Sequence, residues 1–480
     1  MINKSIALII RNMYLLIVMV LLASTTLAQS KPNVIFILAD DLGWGDLSCY
    51  GGNKIQTPNL DKLAANGTLF TQYYQASAVC SPSRTGLMSG RYPATQKIHT
   101  AIEINPQGNA AKGCADFLDP QLPTVTRLLQ QNGYVTGHFG KWHLGATKNA
   151  PTPGEYGITT ERTGNSNTPN KIPKNDRSIS SKVIVDEVIK FVEDNKAKPF
   201  YVNTWFFDVH AVLEPSKEQL DAVKNLGIYD KVPFYSPAQI YYGTLREMDI
   251  QVGRLMDKLK ELNLLDNTII VFSSDNGPED IDVINASHSG VGSTGMFRGR
   301  KRSLYEGGIR VPFIVQYPGK VAAGKVDNDN VIGGVDFLPT VCALANVKIP
   351  AGAVLDGEDR SEVITGKVKP RTRPLYWEWR YGIPGHLMNK SPTLAIRDGN
   401  WMFLVNHDGT RKELYDVPQD PMQMTNLVEK NSGIVKSLEA KLINWQKTLP
   451  PTGDMKNFGR IDYPWPGKPK KATAEDMPND

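Results

Sequence analysis

The chain has 480 residues, of which 41% are hydrophobic, 21% charged and 9% aromatic, a globular composition long enough for roughly two to four domains at about 150 residues each. That composition excludes a disordered chain, a collagen and a small disulfide scaffold. The 41 glycines and 32 prolines follow no period, which favours loops over a repeat array. The net charge of +5 falls to +3 beyond residue 28, too little to bind nucleic acid by charge alone, so no nucleic-acid partner is expected.

An apolar stretch near the start of the chain predicts export. Lys4 and Arg11 precede the apolar residues 13–23, and small residues stand before Gln29. This pattern is typical of a secretory signal peptide over residues 1–28, which predicts a periplasmic or secreted protein that leaves the membrane after cleavage. The alternative is an uncleaved membrane anchor, although the apolar stretch is shorter than the ~20 residues that span a bilayer.

The chain contains four cysteines, Cys49, Cys80, Cys114 and Cys342. Their spacings match no zinc-ligand pattern, and so few cysteines in an exported chain indicate that disulfides are not its main stabiliser. If one of them is used for chemistry, at most one internal pair can form. The sequence leaves open which two cysteines such a pair would join.

Short runs rich in β-branched and aromatic residues alternate with longer amphipathic stretches. The predicted buried strands are residues 33–39, 134–139, 200–207, 268–274 and 311–317. The predicted helices are residues 57–66, 123–132, 178–195, 237–263 and 336–347. This alternation predicts an α/β fold, with a mostly parallel sheet covered by helices on both faces.

The character of the chain changes after Lys367, where Pro370 and Pro374 mark a predicted boundary. Beyond it we expect a small antiparallel sheet, a helix packed on that sheet and an extended tail from Pro450. The predicted elements are strands at 375–379, 393–397, 401–405 and 412–415 and a helix at 433–449. We therefore predict an α/β domain over residues 30–345, a connecting segment over 346–374 and a C-terminal subdomain over 375–480.

Polar residues follow four of the predicted strands. In chain order, these strands run into Asp40-Asp41, Lys141-Trp142-His143, Asp208 with His210, and Asp275-Asn276. Ligands of open α/β sheets bind in the crevice beyond the carboxyl ends of the strands. We therefore expect these side chains to meet in one site.

The acidic and amide members of this set predict a metal site. Asp40, Asp41, Asp275 and Asn276 offer only oxygen ligands, which suit Ca²⁺ or Mg²⁺ better than Zn²⁺. The alternative for any one of them is capping of a helix or turn. If they do hold a metal, Asp275→Ala is expected to reduce activity far more than stability.

Basic residues at the same edge predict binding and cleavage of an anionic ester. Lys141, His143 and His210 supply cationic and proton-transferring groups beside the predicted metal. Four other histidines do not follow the end of a strand of the predicted parallel sheet, and we interpret them as structural: His99, His138, His386 and His407.

The segment Cys80-Ser81-Pro82-Ser83-Arg84 is the most informative in the chain. Pro82 near a helix start would place free backbone N–H groups and the positive dipole end at residue 80, which favours a charged nucleophile or a bound anion. A thiolate is one candidate, but no resolving cysteine is adjacent and the sequence does not identify its base. From its residues alone, the chain is interpreted as an exported, metal-dependent hydrolase of anionic esters.

This segment resembles the signature of the type I sulfatases, whose cysteine is oxidised to formylglycine by a maturation enzyme. Further motifs of the family follow the same order along the chain. They are Asp40-Asp41-Leu42-Gly43-Trp44-Gly45-Asp46, Thr57-Pro58-Asn59-Leu60-Asp61, Gly140-Lys141-Trp142-His143-Leu144-Gly145, Ser274-Asp275-Asn276-Gly277, Phe297-Arg298-Gly299-Arg300-Lys301 and Tyr305-Glu306-Gly307-Gly308. The resemblance covers about residues 33–310, and the small C-terminal sheet also fits the family.

The resemblance implies an alkaline-phosphatase-like fold and a formylglycine nucleophile derived from Cys80. Hydrated formylglycine attacks sulfur and displaces the alcohol, and its second hydroxyl then expels sulfate. The implied ligands of one Ca²⁺ are Asp40, Asp41, Asp275, Asn276 and the residue at position 80. In the family pattern, Arg84 and Lys141 would hold the formylglycine hydroxyls and the sulfate. His143 would deprotonate the hemiacetal. His210 and Lys301 would neutralise the sulfate and protonate the leaving oxygen.

Two features depart from the family pattern. Arg300 and Arg302 flank Lys301, where the family more often has a small residue between the arginine-glycine pair and the lysine. Their extra charge favours a polyanionic substrate, unless both pair with surface acids. Ala211 follows His210, where the family often has proline.

Export and an anion-binding pocket favour a sulfated carbohydrate as substrate. Residues 203–210 and 292–308 resemble bacterial N-acetylgalactosamine or galactose sulfatases, which makes a sulfated galactan or glycosaminoglycan the predicted class. Candidates to contact the sugar, each with a structural role as the alternative, are Trp205, Asp208, Trp377, Glu378, Arg380 and His386. Two other functions stay open: a phosphatase or phosphonate monoester hydrolase on the same fold, and a non-catalytic binder of sulfated glycans.

Overall fold

The computed structural model describes residues 31–167, 171–172, 177–227, 234–283 and 288–450. The predicted signal peptide and almost all of the predicted tail lie outside these residues. Within the described ranges, no helix is long and apolar enough to cross a membrane.

The strands of the described chain form three sheets. They are β1 (Asn33–Ala39), β2 (Thr68–Phe70), β3 (Tyr73–Tyr74), β4 (Val135–Lys141), β5 (Thr160–Gly164), β6 (Phe200–Trp205), β7 (Thr268–Ser274), β8 (Phe313–Gln316), β9 (Lys325–Asp327), β10 (Ile332–Gly333), β11 (Leu375–Glu378), β12 (Leu394–Asp398), β13 (Trp401–Val405) and β14 (Glu413–Asp416). The large sheet has the order β5-β4-β6-β1-β7-β8-β2-β9, in which only β8 runs antiparallel to its neighbours. β3 pairs with β10, and β11 to β14 form an antiparallel sheet in chain order.

Helices cover both faces of the large sheet. The α-helices of the described ranges are α1 (Pro58–Ala65), α2 (Cys80–Ser89), α3 (Pro106–Ala111), α4 (Val125–Gln131), α5 (Ser180–Asn195), α6 (Lys217–Asp221), α7 (Pro237–Glu261), α8 (Glu306–Ile309), α9 (Phe337–Leu344), α10 (Ser361–Ile364) and α11 (Ser432–Gln446). Side chains of a strand alternate between the two faces. In β1, Val34 and Phe36 therefore pack with α2, α4 and α9, whereas Ile35 and Ile37 pack with α1, α5 and α7.

The structure confirms the predicted α/β class, and most predicted elements exist. β1 and β7 have the predicted bounds, whereas β4, the strand predicted over 134–139, continues to Lys141. The strand predicted over 311–317 is shorter and antiparallel to β7. One reason for its late start is that Pro312 has no N–H to donate to a neighbouring strand.

The predicted C-terminal antiparallel sheet is confirmed and packs on both of its faces. One face meets the α/β part through Trp377, Met402 and Leu404, and the other meets α11. Val363 and Ile364 of α10, inside the predicted connecting segment, belong to the same hydrophobic core as α9 and one face of the large sheet. The domain boundaries at 345 and 375 therefore stay a prediction.

Candidate active site

The carboxyl ends of the central parallel strands bring the predicted polar residues together. Asp40 follows β1, Lys141 ends β4, and His210 lies beyond β6; these three side chains line a cavity of about 330 Å³. Asp275 follows β7, accepts a hydrogen bond from the Asp41 backbone N–H and forms an ion pair with Arg84. Their convergence follows from the parallel register, because these strands all end at one edge of the sheet.

The acidic and amide residues are buried and connected to one another. The backbone N–H of Asp41 donates to Asp275 Oδ1 over 3.2 Å, and Asn276 Nδ2 donates to Asp41 Oδ1 over 2.7 Å. Two buried oxygens, Asp40 Oδ1 and Asn276 Oδ1, have no hydrogen-bond partner. Such unsatisfied oxygens are costly, and a hard cation satisfies them.

A second grouping includes a histidine among the potential ligands. Asp40, Asp41 and His210 offer ligand atoms that all lie within 4.8 Å of one another. The predicted set was Asp40, Asp41, Cys80, Asp275 and Asn276. The residues present therefore fit a hard divalent cation, and His210 lies close to Asp40 and Asp41 of the predicted ligand set.

Each carboxylate of the cluster also has a cationic partner. Arg84 Nε and Nη2 donate to Asp275 Oδ2 over 3.0 and 2.7 Å, and Lys141 Nζ pairs with Asp40. Lys301 Nζ donates to Asp41 Oδ2 over 2.7 Å. Burial and the neighbouring Asp40 carboxylate raise the pKa of Asp275. Although burial opposes it, Lys141, His210 and Arg84 lower the pKa of Asp40.

Helix α2 positions both Cys80 and Arg84. Cys80 is its first residue, and Arg84 lies one turn later on the same face. Both side chains are buried, and the positive end of the helix dipole lies at Cys80. Cys80 is close enough to Arg84, Asp275 and Lys301 for electrostatic interaction with each. All four cysteines are free, so Cys49, Cys114 and Cys342 form no pair.

His143 is suited to act as a neutral base. Its Nε2 lies 3.1 Å from the carbonyl oxygen of Ile102, which can only accept a hydrogen bond, so Nε2 carries the proton in this contact. Its Nδ1 is buried and has no hydrogen-bond partner. Burial, together with the charges of Lys141 and Arg84, lowers the pKa of His143 well below its usual value.

His210 and Lys301 meet at Asp41 but carry different charges. His210 Nδ1 lies 2.6 Å from the Ala211 carbonyl oxygen, and Nε2 lies 3.7 Å from Asp41 Oδ2. Burial, together with Lys301 and Lys141, lowers the pKa of His210 to about 4. Burial alone would lower the pKa of Lys301, but Asp41 and Glu279 raise it. Lys301 is therefore the charged member of the pair.

The two arginines beside Lys301 have structural partners. Arg302 donates to Glu279 over 2.5 and 3.1 Å, and Arg300 donates to the carbonyl oxygens of residues 279, 290 and 292. The alternative that both arginines pair with surface acids is therefore wrong, because Glu279 is buried and the partners of Arg300 are backbone carbonyl oxygens. The charge of Arg302 is compensated by Glu279 inside the protein. The sequence interpretation missed Glu279, although an acid four residues after Asp275 was a signal that could have found it.

Five of the six candidate sugar contacts have side chains that are buried against protein groups, which favours the structural role for each of these five. Trp205 lies 5.0 Å from the Arg84 guanidinium, Trp377 Nε1 donates to the Gln75 carbonyl oxygen, and Ser181 donates to Asp208. Glu378 pairs with His407, His99 and Arg380. His386 is exposed, and its Nδ1 accepts from the backbone N–H of Met388. His138 is buried beside Trp142 and Trp205, as its structural interpretation predicts.

Gly140 fixes the position of Lys141, and its replacement is expected to impair the site. Its φ is +114°, and an added Cβ would lie 1.7 Å from the Trp205 carbonyl oxygen. Gly140→Ala should cost roughly 2–4 kcal/mol in unfolding free energy and lower kcat at least tenfold. Gly133→Ala is the control, because Gly133 also has a positive φ but nothing lies within 4 Å of its Cβ position. Urea unfolding and rates of ester hydrolysis of both variants check this prediction. Equal losses of activity in the two variants would contradict it.

Comparison with known proteins gives family and structural matches over most of the chain. The family model described as Sulfatase matches residues 32–347, and that described as N-sulphoglucosamine sulphohydrolase, C-terminal, matches residues 292–448. An N-acetylgalactosamine-6-O-sulfatase of Bacteroides thetaiotaomicron is 29% identical over 86% of this chain and 93% of its own length. An N-acetylgalactosamine-6-sulfatase of Canis lupus familiaris is 30% identical over 73% of this chain and 69% of its own. The crystal structure of Ps i-CgsB in complex with k-i-k-neocarrahexaose matches with a TM-score of 0.74 and 26% identity, over 90% of this chain and 95% of that one.

Proposed function

Because this chain belongs to the sulfatase family and is a sulfuric ester hydrolase, we propose that it removes sulfate from a sulfated galactan or glycosaminoglycan oligosaccharide. The observation that carries the proposal is the convergence of Cys80 and Arg84 with the acidic cluster, Lys141 and His143 at one edge of the sheet. The relative named for N-acetylgalactosamine 6-sulfate, and the neighbour bound to a carrahexaose, support a carbohydrate as the alcohol.

The nucleophile in this proposal is residue 80 after oxidation of its thiol by a formylglycine-generating maturation enzyme. Hydrated formylglycine supplies two hydroxyls on one carbon, one to attack sulfur and one whose deprotonation releases sulfate, which splits one hard displacement into two easier steps. Calcium, held by Asp40, Asp41, Asp275, Asn276 and residue 80, would supply positive charge for the sulfate oxygens.

The other residues then have distinct roles. Arg84 and Lys141 hold the hydroxyls and the sulfate, where their charges oppose the charge that develops in the transition state. His143 is neutral with a free Nδ1, as a base toward the second hydroxyl requires. Lys301 keeps its proton beside His210, so it can neutralise the sulfate and donate to the leaving oxygen.

Chelation of the metal is expected to abolish activity and lower thermal stability. Without the metal, the buried oxygens Asp40 Oδ1 and Asn276 Oδ1 would stay unsatisfied. Dialysis against a chelator should reduce sulfate release at least ~100-fold and lower the melting temperature, and Ca²⁺ should restore both. Full activity after chelation, with the metal content verified as zero, would contradict the metal assignment.

A panel of defined sulfated oligosaccharides, differing in sugar and in sulfated carbon, tests the proposed activity. Release of sulfate from one class identifies the substrate, and peptide mass spectrometry of the same preparation should find formylglycine at position 80. No release from any member by protein with formylglycine at that position would reject the proposed substrate class. Faster turnover of an aryl phosphonate or phosphate than of any sulfate ester would select the other hydrolase class.

Export is part of the proposal, because residues 1–28 have the pattern of a secretory signal peptide. The mature protein recovered from its host is expected to begin at Gln29. N-terminal sequencing or intact mass checks this expectation. A mature chain that retains residues 1–28 would instead favour the membrane-anchor alternative.

A further inference from the structure

We infer that Glu279 is a positioning residue that holds the Lys301 ammonium in place for the leaving oxygen; this inference rests on the proposed function. Lys301 Nζ lies 2.7 Å from Asp41 Oδ2 and 3.5 Å from Glu279 Oε2. A lysine side chain has several rotatable bonds, so one contact does not define where its charge lies. Glu279 supplies the second contact.

The Glu279 carboxylate is itself fixed on both oxygens. Oε1 accepts from Arg302 Nη1 over 2.5 Å and from the Asp280 backbone N–H over 2.8 Å. Oε2 accepts from Arg302 Nη2 over 3.1 Å and faces Lys301. This two-point ion pair prevents rotation of the carboxylate, so its position is defined before substrate binds.

Backbone contacts connect this arrangement to the nucleophile helix. The N–H of Lys301 donates to the Pro278 carbonyl oxygen over 2.9 Å, and the N–H of Arg302 donates to the Ala78 carbonyl oxygen over 2.8 Å. Ala78 lies two residues before Cys80. These two backbone hydrogen bonds therefore connect the chain around Lys301 to the residue before Glu279 and to the segment that leads into α2.

Glu279 differs from Asp41 in what else it must bind. Asp41 belongs to the group of possible metal ligands and also accepts from Asn276. Glu279 is 5% exposed, and the contacts recorded for its side chain are with Lys301, Arg302 and the Asp280 backbone. The Glu279 carboxylate can therefore pair with Lys301 whether or not Asp41 binds a metal ion.

The test compares Glu279→Gln with Asp280→Asn, a substitution of the next buried acid, whose side chain contacts Asn389 and the Asp282 backbone instead of Lys301. For a sugar sulfate, Glu279→Gln should lower kcat by about 10- to 100-fold, because a poorly placed acid cannot protonate the alkoxide. For p-nitrophenyl sulfate, whose leaving group needs little protonation, the loss should be less than about threefold. Asp280→Asn should change both rates by less than about threefold.

Inorganic sulfate binding, measured by calorimetry, separates positioning from general damage. Glu279→Gln should bind sulfate at least as tightly as the parent, because a negative charge has left the surroundings of Lys301. Equal losses of kcat on both esters, or losses no larger than those of Asp280→Asn, would overturn the inference. If the parent itself releases no sulfate, the proposed function fails. The calorimetry then tests the inference separately: it is rejected if Glu279→Gln binds sulfate more weakly than the parent and Asp280→Asn do.

A second variant keeps the test decisive if Glu279→Gln does not fold. Arg302→Gln leaves the Glu279 charge in place but removes the ion pair that fixes it. It should show the same greater loss on the sugar sulfate than on the aryl sulfate, at a smaller size. A loss independent of the leaving group would overturn the inference.

Discussion

Cys80→Ala is expected to abolish sulfate release while the protein still folds. Alanine cannot be oxidised to formylglycine, so the nucleophile is missing, and loss of a nucleophile lowers kcat by roughly four to six orders of magnitude. The thiol occupies the first position of α2, where alanine is compatible with a helix, so the unfolding free energy should fall by only about 1 kcal/mol. Sulfate release on the identified substrate and urea unfolding measure the two effects.

Cys114→Ser is the matched control for thiol chemistry. Cys114 is half-buried, and its Sγ lies 3.5 Å from the Tyr381 hydroxyl, a contact that serine can keep. This variant should retain full activity and formylglycine at position 80. If Cys80→Ala releases more sulfate than a mock preparation, the covalent route is refuted. If the parent releases no sulfate and Cys80→Ala binds the glycan as tightly as the parent does, the protein is a non-catalytic binder.

Asp275→Ala is expected to lose both activity and stability. The sequence alone predicted a loss of activity far larger than the loss of stability, but the contacts of Arg84 change that expectation. Arg84 is fully buried and donates to Asp275 through Nε and Nη2. Without the Asp275 carboxylate, this buried guanidinium loses two charge-assisted hydrogen bonds and keeps the Asp40 carboxylate, 3.7 Å away, as its ion-pair partner. We expect this to cost about 3 kcal/mol, and the loss of a metal ligand should lower kcat at least ~1000-fold.

A double-mutant cycle separates the two effects of Asp275. Arg84→Met combined with Asp275→Ala removes the guanidinium that has lost its nearest partner, so the double variant should regain part of the stability that Asp275→Ala loses. Activity should stay low in all three variants, because each lacks a residue assigned to the metal or to the sulfate. Strictly additive losses of stability would show that the Arg84–Asp275 pair is not the cause.

The two strands that lead into the acidic residues were predictable because their patterns are local. Val34 to Ala39 and Ile269 to Phe272 are apolar at every position, as strands buried on both faces require. Local patterns also predicted β4, which ends at Lys141, and the antiparallel C-terminal sheet. It could not foresee that β8 is antiparallel, because the direction of a strand depends on its connection and partners rather than on its own residues.

The candidate site was predictable to the level of which residue types follow which strands. Asp40, Lys141, His210 and Asp275 each come within three residues after a predicted strand, and neighbouring parallel strands end at the same edge of a sheet. The sugar contacts were not predictable in that way. A tryptophan in a sequence is compatible with a sugar contact or with a place in the core; here Trp205 lies against Arg84 and Trp377 donates to the Gln75 carbonyl oxygen.

By itself, the sequence determined the fold class, the family and the set of chemical groups at the sheet edge, because these depend on local periodicity and on short motifs. Only the tertiary structure decided how those groups are paired. It placed Lys301 between Asp41 and Glu279, residues 260 and 22 positions away along the chain, and it gave Arg302 a buried partner. Electrostatic interaction depends on distance in space and on burial, and neither quantity is written in the order of the residues.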